Sequence, residues 1–415
     1  MILILVLILI SPLAFLGSLY FVNEESLRVL LAFELNKENF IRPTLFGEKY
    51  LNKPPMFPWL LSLMGNTFGF GEFQMRIISV IAFWVCTLAV IIYAKNYWSD
   101  YKAGLIAGIL FSSSGSILFF YSSLAEIDMV FTMAVVLGVL LSCARKRAFF
   151  VISNLFFAFA MMLKGLAALS FIPGAFLVLA MRQGLSQAFK KSLVITGFSL
   201  MTLGLWVLLT KEPILHAQRL LEESFGRVSK GGSWLFLLEN FKDMLPASAL
   251  ALFALSRSGK VGLEPLLIGL VCYLPYIFSD AEGRYVMPVF AFLAVAFAKS
   301  VSNAMQDRVF ERVFYSVLIL TVALKLIYSG IYSNFMLSRG DSPKSVASSL
   351  KLIMANKTFS CQCEDVKSTC LYLSLEIGKP ATKDGDFKIV CEKPSDKRAI
   401  GFRVKSKTAW LSFGG

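Results

Sequence analysis

Leu193-Val-Ile-Thr-Gly-Phe-Ser-Leu-Met-Thr-Leu-Gly-Leu-Trp-Val-Leu-Leu209 is a stretch of the chain without a single charged side chain. Residues 104–120 form a second stretch of this kind. A helix needs about 17 to 25 mostly apolar residues to cross the hydrocarbon core of a bilayer. With 56% hydrophobic and only 16% charged residues, the chain also carries more apolar surface than one water-soluble core could bury. These observations predict a protein that crosses a membrane several times.

We predict an all-α polytopic membrane protein with about eleven transmembrane helices and a small β-rich C-terminal domain. The transmembrane domain is expected over residues 1–332 and the soluble domain over residues 333–415. The first helix could also be a signal peptide, but it lacks a basic start and a clear cleavage site, so we expect it to remain. The predicted spans are residues 2–21, 78–95, 104–121, 128–144, 148–163, 166–181, 192–209, 236–255, 263–279, 285–301 and 313–332.

Charge asymmetry between the loops predicts the orientation. If the N-terminus is cytoplasmic, the inside loops hold many of the basic residues, Arg145, Lys146 and Arg147 among them. Most acidic residues then lie on the opposite face, which fits the positive-inside pattern. An odd helix count places the C-terminal domain outside. We therefore predict a multi-pass protein of the cytoplasmic membrane, and the dispersed net charge of +14 does not predict a nucleic-acid partner.

The tail alternates apolar and polar residues in four segments, which predicts strands at residues 370–377, 387–392, 399–404 and 408–413. It also contains Cys361, Cys363, Cys370 and Cys391. Outside the cytoplasm these four cysteines could form up to two disulfides in any of three connectivities. A zinc site is the alternative, although the spacing matches no standard zinc finger. The three remaining cysteines lie in predicted spans, where we expect packing roles: Cys86, Cys143 and Cys272.

Two predicted outside loops are long enough to build a site, residues 22–77 and residues 210–235. The first loop holds an acidic cluster and a lysine before two prolines, and further short motifs lie on the same predicted membrane side. In order these motifs are Asn23-Glu24-Glu25, Asn52-Lys53-Pro54-Pro55, Phe73-Gln74-Met75-Arg76, Glu126-Ile127-Asp128, Lys164-Gly165, Glu223-Ser224-Phe225-Gly226-Arg227 and Gly283-Arg284-Tyr285.

This order of motifs, from about residue 20 to about residue 300, resembles bacterial polyprenyl-phosphate-dependent glycosyltransferases of the GT-C class. That class includes the aminoarabinose transferases that modify lipid A and the protein O-mannosyltransferases. The resemblance implies a GT-C-like fold and an inverting transferase. Its donor would be a polyprenyl-phosphate-linked sugar and its acceptor a lipid, glycan or protein at the outer membrane face.

The chain also departs from the family's pattern at three positions. Asn23 stands where relatives usually carry Asp, and Asn52 stands where the aminoarabinose transferases carry a Glu before the K-P-P motif. The histidine usually found in the second long loop has no match, because the only histidine, His216, lies well before that position. We therefore predict no metal ion and no other cofactor.

Breaking a sugar–phosphate bond releases an anionic phosphate, so the site needs cations for that charge and a carboxylate to activate a hydroxyl acceptor. We predict Glu24 as the first choice for the catalytic base and Asp128 as the second. The predicted phosphate-binding residues are Lys53, Lys164, Arg284 and Tyr285, and the predicted substrate-binding residues are Glu25, Glu126 and Arg227.

Other interpretations of these residues stay open on sequence grounds. Glu24 and Glu25 could be solvated loop charges, and Lys53 could extend its ammonium from an interfacial helix start. For Asp128 and Lys164 a functional role is the favoured interpretation, because ionisable groups at a membrane boundary are costly. For the whole protein, the alternative is a non-catalytic GT-C relative or a lipid-linked sugar transporter. A transporter would show repeats and broken helices at the midplane, which the sequence does not display.

Overall fold

A computed structural model describes residues 1–22, 24–144, 146–225, 235–279, 281–355, 357–394 and 399–413. Most of this chain is helical. In chain order the α-helices are α1 (Ile2–Ile10), α2 (Glu24–Phe33), α3 (Met56–Phe68), α4 (Glu72–Trp98), α5 (Tyr101–Ser112), α6 (Ile127–Ser142), α7 (Arg147–Lys164), α8 (Ile172–Gln183), α9 (Leu185–Leu209), α10 (Pro213–Phe225), α11 (Leu235–Asp243), α12 (Ala247–Ser258), α13 (Leu263–Ile277), α14 (Met287–Ala304), α15 (Arg308–Ser338), α16 (Pro343–Met354) and α17 (Lys367–Ile377).

The chain forms two compact units, each built from several segments. Unit 1 contains Met1–Ala14, Asn52–Pro54 and Ile78–Ile327, and unit 2 contains Phe15–Leu51, Pro55–Ile77 and Tyr328–Gly415. The C-terminal segment therefore shares a compact unit with most of the first long loop. The domain boundary that we place between residues 332 and 333 stays a prediction.

Apolar length supports the membrane assignment in the part of the chain that is described. Five helical stretches are long and apolar enough to cross a membrane: Glu72–Trp98, Arg147–Gln183, Leu185–Leu209, Gly283–Ala304 and Arg308–Met354. Five shorter apolar helices accompany them. The expected single span over residues 2–21 is wrong, because α1 ends at Ile10 and a short 3-10 turn, Ser11–Leu13, follows it. The count of eleven spans stays a prediction.

Small residues allow the helices of unit 1 to approach closely. Gly138 in α6 faces the ring of Phe157 in α7, and the hydroxyl of Ser153 donates a hydrogen bond of 2.7 Å to the Gly138 carbonyl. Gly174 in α8 lies against the sulfur of Cys272 in α13, where an added Cβ would collide with it. Such contacts suit helices in lipid, where close packing replaces the hydrophobic effect as the force between them. Cys272 thus has the packing role that the sequence predicts.

Unit 2 contains two small sheets. A hairpin joins β1 (Thr44–Leu45) and β2 (Glu48–Lys49). The C-terminal sheet has the order β3-β4-β6-β5, with β3 parallel to β4 and the other pairs antiparallel. Its strands are β3 (Phe359–Cys361), β4 (Phe387–Val390), β5 (Ile400–Val404) and β6 (Lys407–Phe413).

The last three strands lie where the sequence predicts them, but the predicted strand at residues 370–377 is wrong. This segment belongs to helix α17. Gly378, which follows the last helical residue, has a left-handed backbone with φ 74°. The alternation of Leu371 and Leu373 with polar residues is misleading, because the intervening Tyr372 and Ser374 are buried too. When a segment is buried on all sides, its hydrophobic pattern fits a helix as well as a strand.

Two disulfides cross-link the C-terminal segment, Cys361–Cys370 and Cys363–Cys391. They select one of the three connectivities that the sequence leaves open. The first joins β3 to α17, and the second joins the residues before α17 to the end of β4. Disulfides compensate for the small core of a short domain, which has too little apolar area to be very stable alone.

Candidate active site

A buried ion pair lies in unit 1, where helices α6 and α7 meet. Asp128 is in the first turn of α6 and Lys164 is the last residue of α7. Because a short connection joins these antiparallel helices, the start of one lies beside the end of the other. The Lys164 ammonium donates a hydrogen bond of 2.6 Å to Asp128 Oδ1, and both side chains are at most 5% exposed. Each charge also lies at the helix end whose dipole favours it.

Aromatic rings surround the ammonium of Lys164. Its Nζ atom lies 4.1 Å from the ring centre of Tyr285 and 4.9 Å from that of Phe131. Phe131 packs edge-on against Phe171, and Phe171 in turn lies beside Tyr276. Aromatic faces attract cations, most strongly where water is excluded. The rings and Asp128 together hold a positive charge in a largely dry environment.

Arg284 carries a second positive charge on the same unit. It lies in the 3-10 turn Gly283–Val286 that leads into α14. Its guanidinium contacts Glu126 Oε2 at 3.3 Å and Glu282 Oε2 at 2.7 Å. Glu126 immediately precedes α6, so Glu126 and Asp128 both lie at the start of this helix. Their carboxylates contact two different cations, Arg284 and Lys164.

Lys53 provides a third positive charge, and its partner comes from the second long loop. Its ammonium lies 2.7 Å from Glu223 Oε1, a carboxylate near the end of α10. Both residues are only partly exposed. Long-range pairing of this kind joins segments that are far apart in sequence.

A cavity of about 430 Å³ lies beside two of these three cations, Lys53 and Lys164. Lys53, Lys164, Glu223 and Tyr285 are among the residues that line it. Its apolar walls include Leu166, Leu169, Pro173, Leu220 and Pro275. A volume of this size, with apolar walls and a few converging polar groups, is typical of small-molecule sites. The cavity could accommodate a molecule with an anionic group and an apolar portion.

The structure brings six of the predicted site residues into unit 1: Lys53, Glu126, Asp128, Lys164, Arg284 and Tyr285. Arg284, Glu126 and Asp128 are not among the described residues that line the cavity. Arg227 lies outside the described residues. No group of three or more His, Cys, Asp or Glu side chains in the described part of the chain could hold a metal ion. That this protein needs no metal stays a prediction.

Glu24 and Glu25 lie in unit 2, at the start of α2, and face different partners. Glu25 is fully buried and forms a two-pronged ion pair with Arg76, with distances of 2.8 and 2.9 Å. Arg76 also donates hydrogen bonds to the carbonyl groups of Leu16, Leu19 and Tyr20. Glu24 is about one third exposed and contacts two cations, Arg28 at 3.4 Å and Lys367 at 3.2 Å.

Sequence reasoning assigned no role to several residues that the site contains. Glu223 was part of a recognised motif, but nothing in the sequence connects it to Lys53. Phe131 is one aromatic residue among many in the predicted spans. The hydroxyl groups of Ser170 and Tyr276, 2.6 Å apart, also line the cavity. Only helix packing selects these residues from many of the same type.

Comparison with known proteins agrees with this architecture. A family model described as dolichyl-phosphate-mannose-protein mannosyltransferase matches residues 52–209. The crystal structure of ArnT from Cupriavidus metallidurans bound to undecaprenyl phosphate matches with a TM-score of 0.64 at 13% identity, covering 91% of this chain and 76% of that one. The structure of the same protein in the apo state matches with a TM-score of 0.60. The fold is therefore the GT-C fold, and the resemblance that the motifs predict is confirmed.

More particularly, the chain is similar to curated proteins named undecaprenyl phosphate-alpha-4-amino-4-deoxy-L-arabinose arabinosyl transferase. The protein from Pseudomonas savastanoi pv. phaseolicola is 35% identical over 81 residues, which are 20% of this chain and 15% of that protein. The protein from Edwardsiella ictaluri is 28% identical over 287 residues, 63% of this chain and 51% of that protein. The matched segments thus span about half or less of these relatives' length.

Proposed function

We propose that this chain is a membrane glycosyltransferase that transfers a sugar from a polyprenyl-phosphate donor to a lipid, glycan or protein acceptor. The observation that carries this proposal is the cavity of about 430 Å³, in which Lys53 and Lys164 lie among apolar walls. A lipid phosphate combines the two chemistries that such a cavity can bind. Its phosphate would interact with the ammonium groups, and the nearest isoprene units would contact the leucine and proline side chains.

The proposed reaction is an inverting substitution at the anomeric carbon. The acceptor hydroxyl forms a bond to this carbon, the bond from carbon to the phosphate oxygen breaks, and the hydroxyl proton passes to a carboxylate. Negative charge grows on the leaving phosphate in the transition state, so cations that are already in place lower the barrier. Lys164, which Asp128 and two rings hold in a fixed position, meets that requirement.

Each predicted residue receives a role in this scheme. Lys53, Lys164, Arg284 and Tyr285 bind the donor phosphate, and Asp128 contributes by holding Lys164. A phosphate that binds Lys53 replaces or shares the contact with Glu223.

The acidic residues and Arg227 complete the assignment. Glu24 is the proton acceptor, a role that rests on the sequence resemblance. Glu126 orients Arg284, and Glu25 forms the ion pair with Arg76 that fixes the start of α2. The role of Arg227 in substrate binding is proposed from its motif alone.

The names of the relatives suggest the first donor to test, undecaprenyl phosphate carrying 4-amino-4-deoxy-L-arabinose. The resemblance of the motifs to the aminoarabinose transferases suggests lipid A as the first acceptor. We place the reaction at the outer face of the cytoplasmic membrane. Two disulfides in the C-terminal segment support this orientation, because disulfides persist in oxidising compartments.

The test is sugar transfer from a panel of radiolabelled polyprenyl-phosphate sugars in membranes that contain wild type, Lys53→Gln or Lys164→Met. Lys299→Gln is the matched control, because it removes another partly buried ion pair of unit 1, with Asp100 at 2.7 Å. We expect transfer by the wild type and the control and a loss of about 100-fold or more in the two site variants. Absence of transfer by intact wild-type protein from every donor would overturn the proposal and favour a transport or inactive protein.

A further inference from the structure

Helix α17 of the C-terminal segment contacts the acidic start of α2, and both helices belong to unit 2. The Lys367 ammonium, in the first turn of α17, lies 3.2 Å from Glu24 Oε1. The neighbouring Ser368 shares a hydrogen bond of 2.8 Å with Ser26. The C-terminal segment therefore directly contacts the residue that we propose as the proton acceptor.

A second group of contacts fixes the backbone that leads into α2. The backbone N–H of Phe21 donates a hydrogen bond of 2.7 Å to the Tyr372 hydroxyl, and that hydroxyl donates one of 2.8 Å to Glu72. The rings of Phe21 and Tyr372 are stacked. Tyr372 is 4% exposed, so these hydrogen bonds have little competition from water. One face of α17 thus holds both α2 and the chain just before it.

The disulfides hold α17 in place. Cys370 lies between Lys367 and Tyr372 on this helix, and its bond to Cys361 ties the helix to strand β3. The second disulfide, Cys363–Cys391, ties the residues just before the helix to the end of strand β4. A lysine side chain is normally mobile, but the backbone of Lys367 belongs to a helix that a disulfide fixes to strand β3. Preorganisation of this kind lets a long side chain act at a defined position.

The two oxygen atoms of the Glu24 carboxylate face different cations. Oε1 faces Lys367 of helix α17. Oε2 faces Arg28, which lies in α2 like Glu24 itself, at 3.4 Å. Arg28 is itself fixed by a hydrogen bond of 2.9 Å to the Tyr50 hydroxyl. The adjacent Glu25 carboxylate faces Arg76 instead. Contacts from two cations to its two oxygen atoms restrict the side-chain rotamer of Glu24.

We propose that Lys367 is a positioning residue for this reaction, through which the C-terminal segment orients Glu24. The inference rests on the proposed function, because it assumes that Glu24 accepts the acceptor's proton. It assigns a task to the C-terminal segment.

The test compares Lys367→Met and Lys367→Arg in the transfer assay, with Lys383→Met as the control. Lys383 forms an exposed ion pair with Glu48 in the same unit, 3.7 Å apart. We expect Lys367→Met to lower kcat about 10- to 100-fold with an unchanged donor KM. Lys367→Arg should recover most of the loss, and Lys383→Met should match the wild type. A wild-type kcat in Lys367→Met would overturn the inference.

Two further measurements separate this inference from the proposed function. Glu24→Gln and Lys367→Met should not be additive, because both act on one carboxylate; full additivity would contradict the positioning role. If no donor supports transfer, hydrogen exchange at the amides of α2 still reports the contact. Faster exchange in Lys367→Met than in Lys383→Met would then support positioning without the proposed chemistry, and equal exchange would overturn it.

Discussion

Replacing Asp128 with asparagine preserves the shape of the side chain and removes the charge opposite Lys164. The two groups are 2.6 Å apart and nearly inaccessible to solvent. At an effective dielectric constant of about 20, their attraction amounts to about 6 kcal/mol. Breaking a buried pair by removing one partner costs about 3–5 kcal/mol, because the other charge stays buried alone. We therefore expect Asp128→Asn to lower the thermal unfolding midpoint in detergent clearly and to abolish most sugar transfer.

The double variant Asp128→Asn, Lys164→Met makes this prediction sharper. Removing both charges leaves no buried ion, so much of the lost stability should return, while transfer should stay low because the cation is missing. Stability and transfer are measured on the same preparations, with Lys299→Gln as the control for a pair elsewhere in unit 1. The reasoning would be refuted if Asp128→Asn were as stable as the wild type, or if the two single effects simply added in the double variant.

Three further predictions concern the structure that surrounds the site. Burial raises the pKa of Glu34 to about 7, so the folded hairpin region retains a proton that the unfolded chain releases near pH 4.5. Its stability should therefore decline by up to about 3 kcal/mol as pH rises from 5 to 8, measured as lower hydrogen-exchange protection factors, which correct for the intrinsic rise of exchange with pH. Glu34→Gln should remove this dependence. Gly174→Leu should destabilise unit 1 by about 1–3 kcal/mol, and Cys272→Ala should partly relieve the collision; an unchanged unfolding midpoint would contradict this packing. Arg76→Lys keeps the charge but cannot reproduce the two-pronged pair with Glu25, so limited proteolysis should cleave residues 15–22 faster than in the wild type.

The sequence predicts the broad architecture because membrane helices have a local cause. Apolar length is visible in the chain itself, and the lipid solvent requires every backbone group in a span to be hydrogen-bonded within its own helix. The same local logic fails for shorter elements. The segment in α17 alternates like a strand, but it is buried on all sides within folded unit 2 and forms a helix.

For the candidate site, the sequence identifies Asp128 and Lys164 as costly charges at predicted membrane boundaries. It cannot show that they form a pair, although the antiparallel arrangement of α6 and α7 makes that outcome natural. Nor does it show that Glu24 and Glu25 differ in burial and in their partners. The structure separates them by burial and partners, since Glu25 forms a buried pair with Arg76 and Glu24 stays partly exposed between two cations.

The amino-acid sequence by itself determined that this is a helical membrane protein with GT-C motifs, because hydrophobic length and motif order are properties of the linear chain. Tertiary structure alone decided which charges meet. Lys53 forms an ion pair with Glu223, 170 positions away in the sequence, and the Lys164 ammonium lies over the ring of Tyr285. The four tail cysteines form one of the three possible pairings. These contacts depend on how the helices and loops pack, and packing reflects the shape of the whole fold, which no local pattern of residues contains.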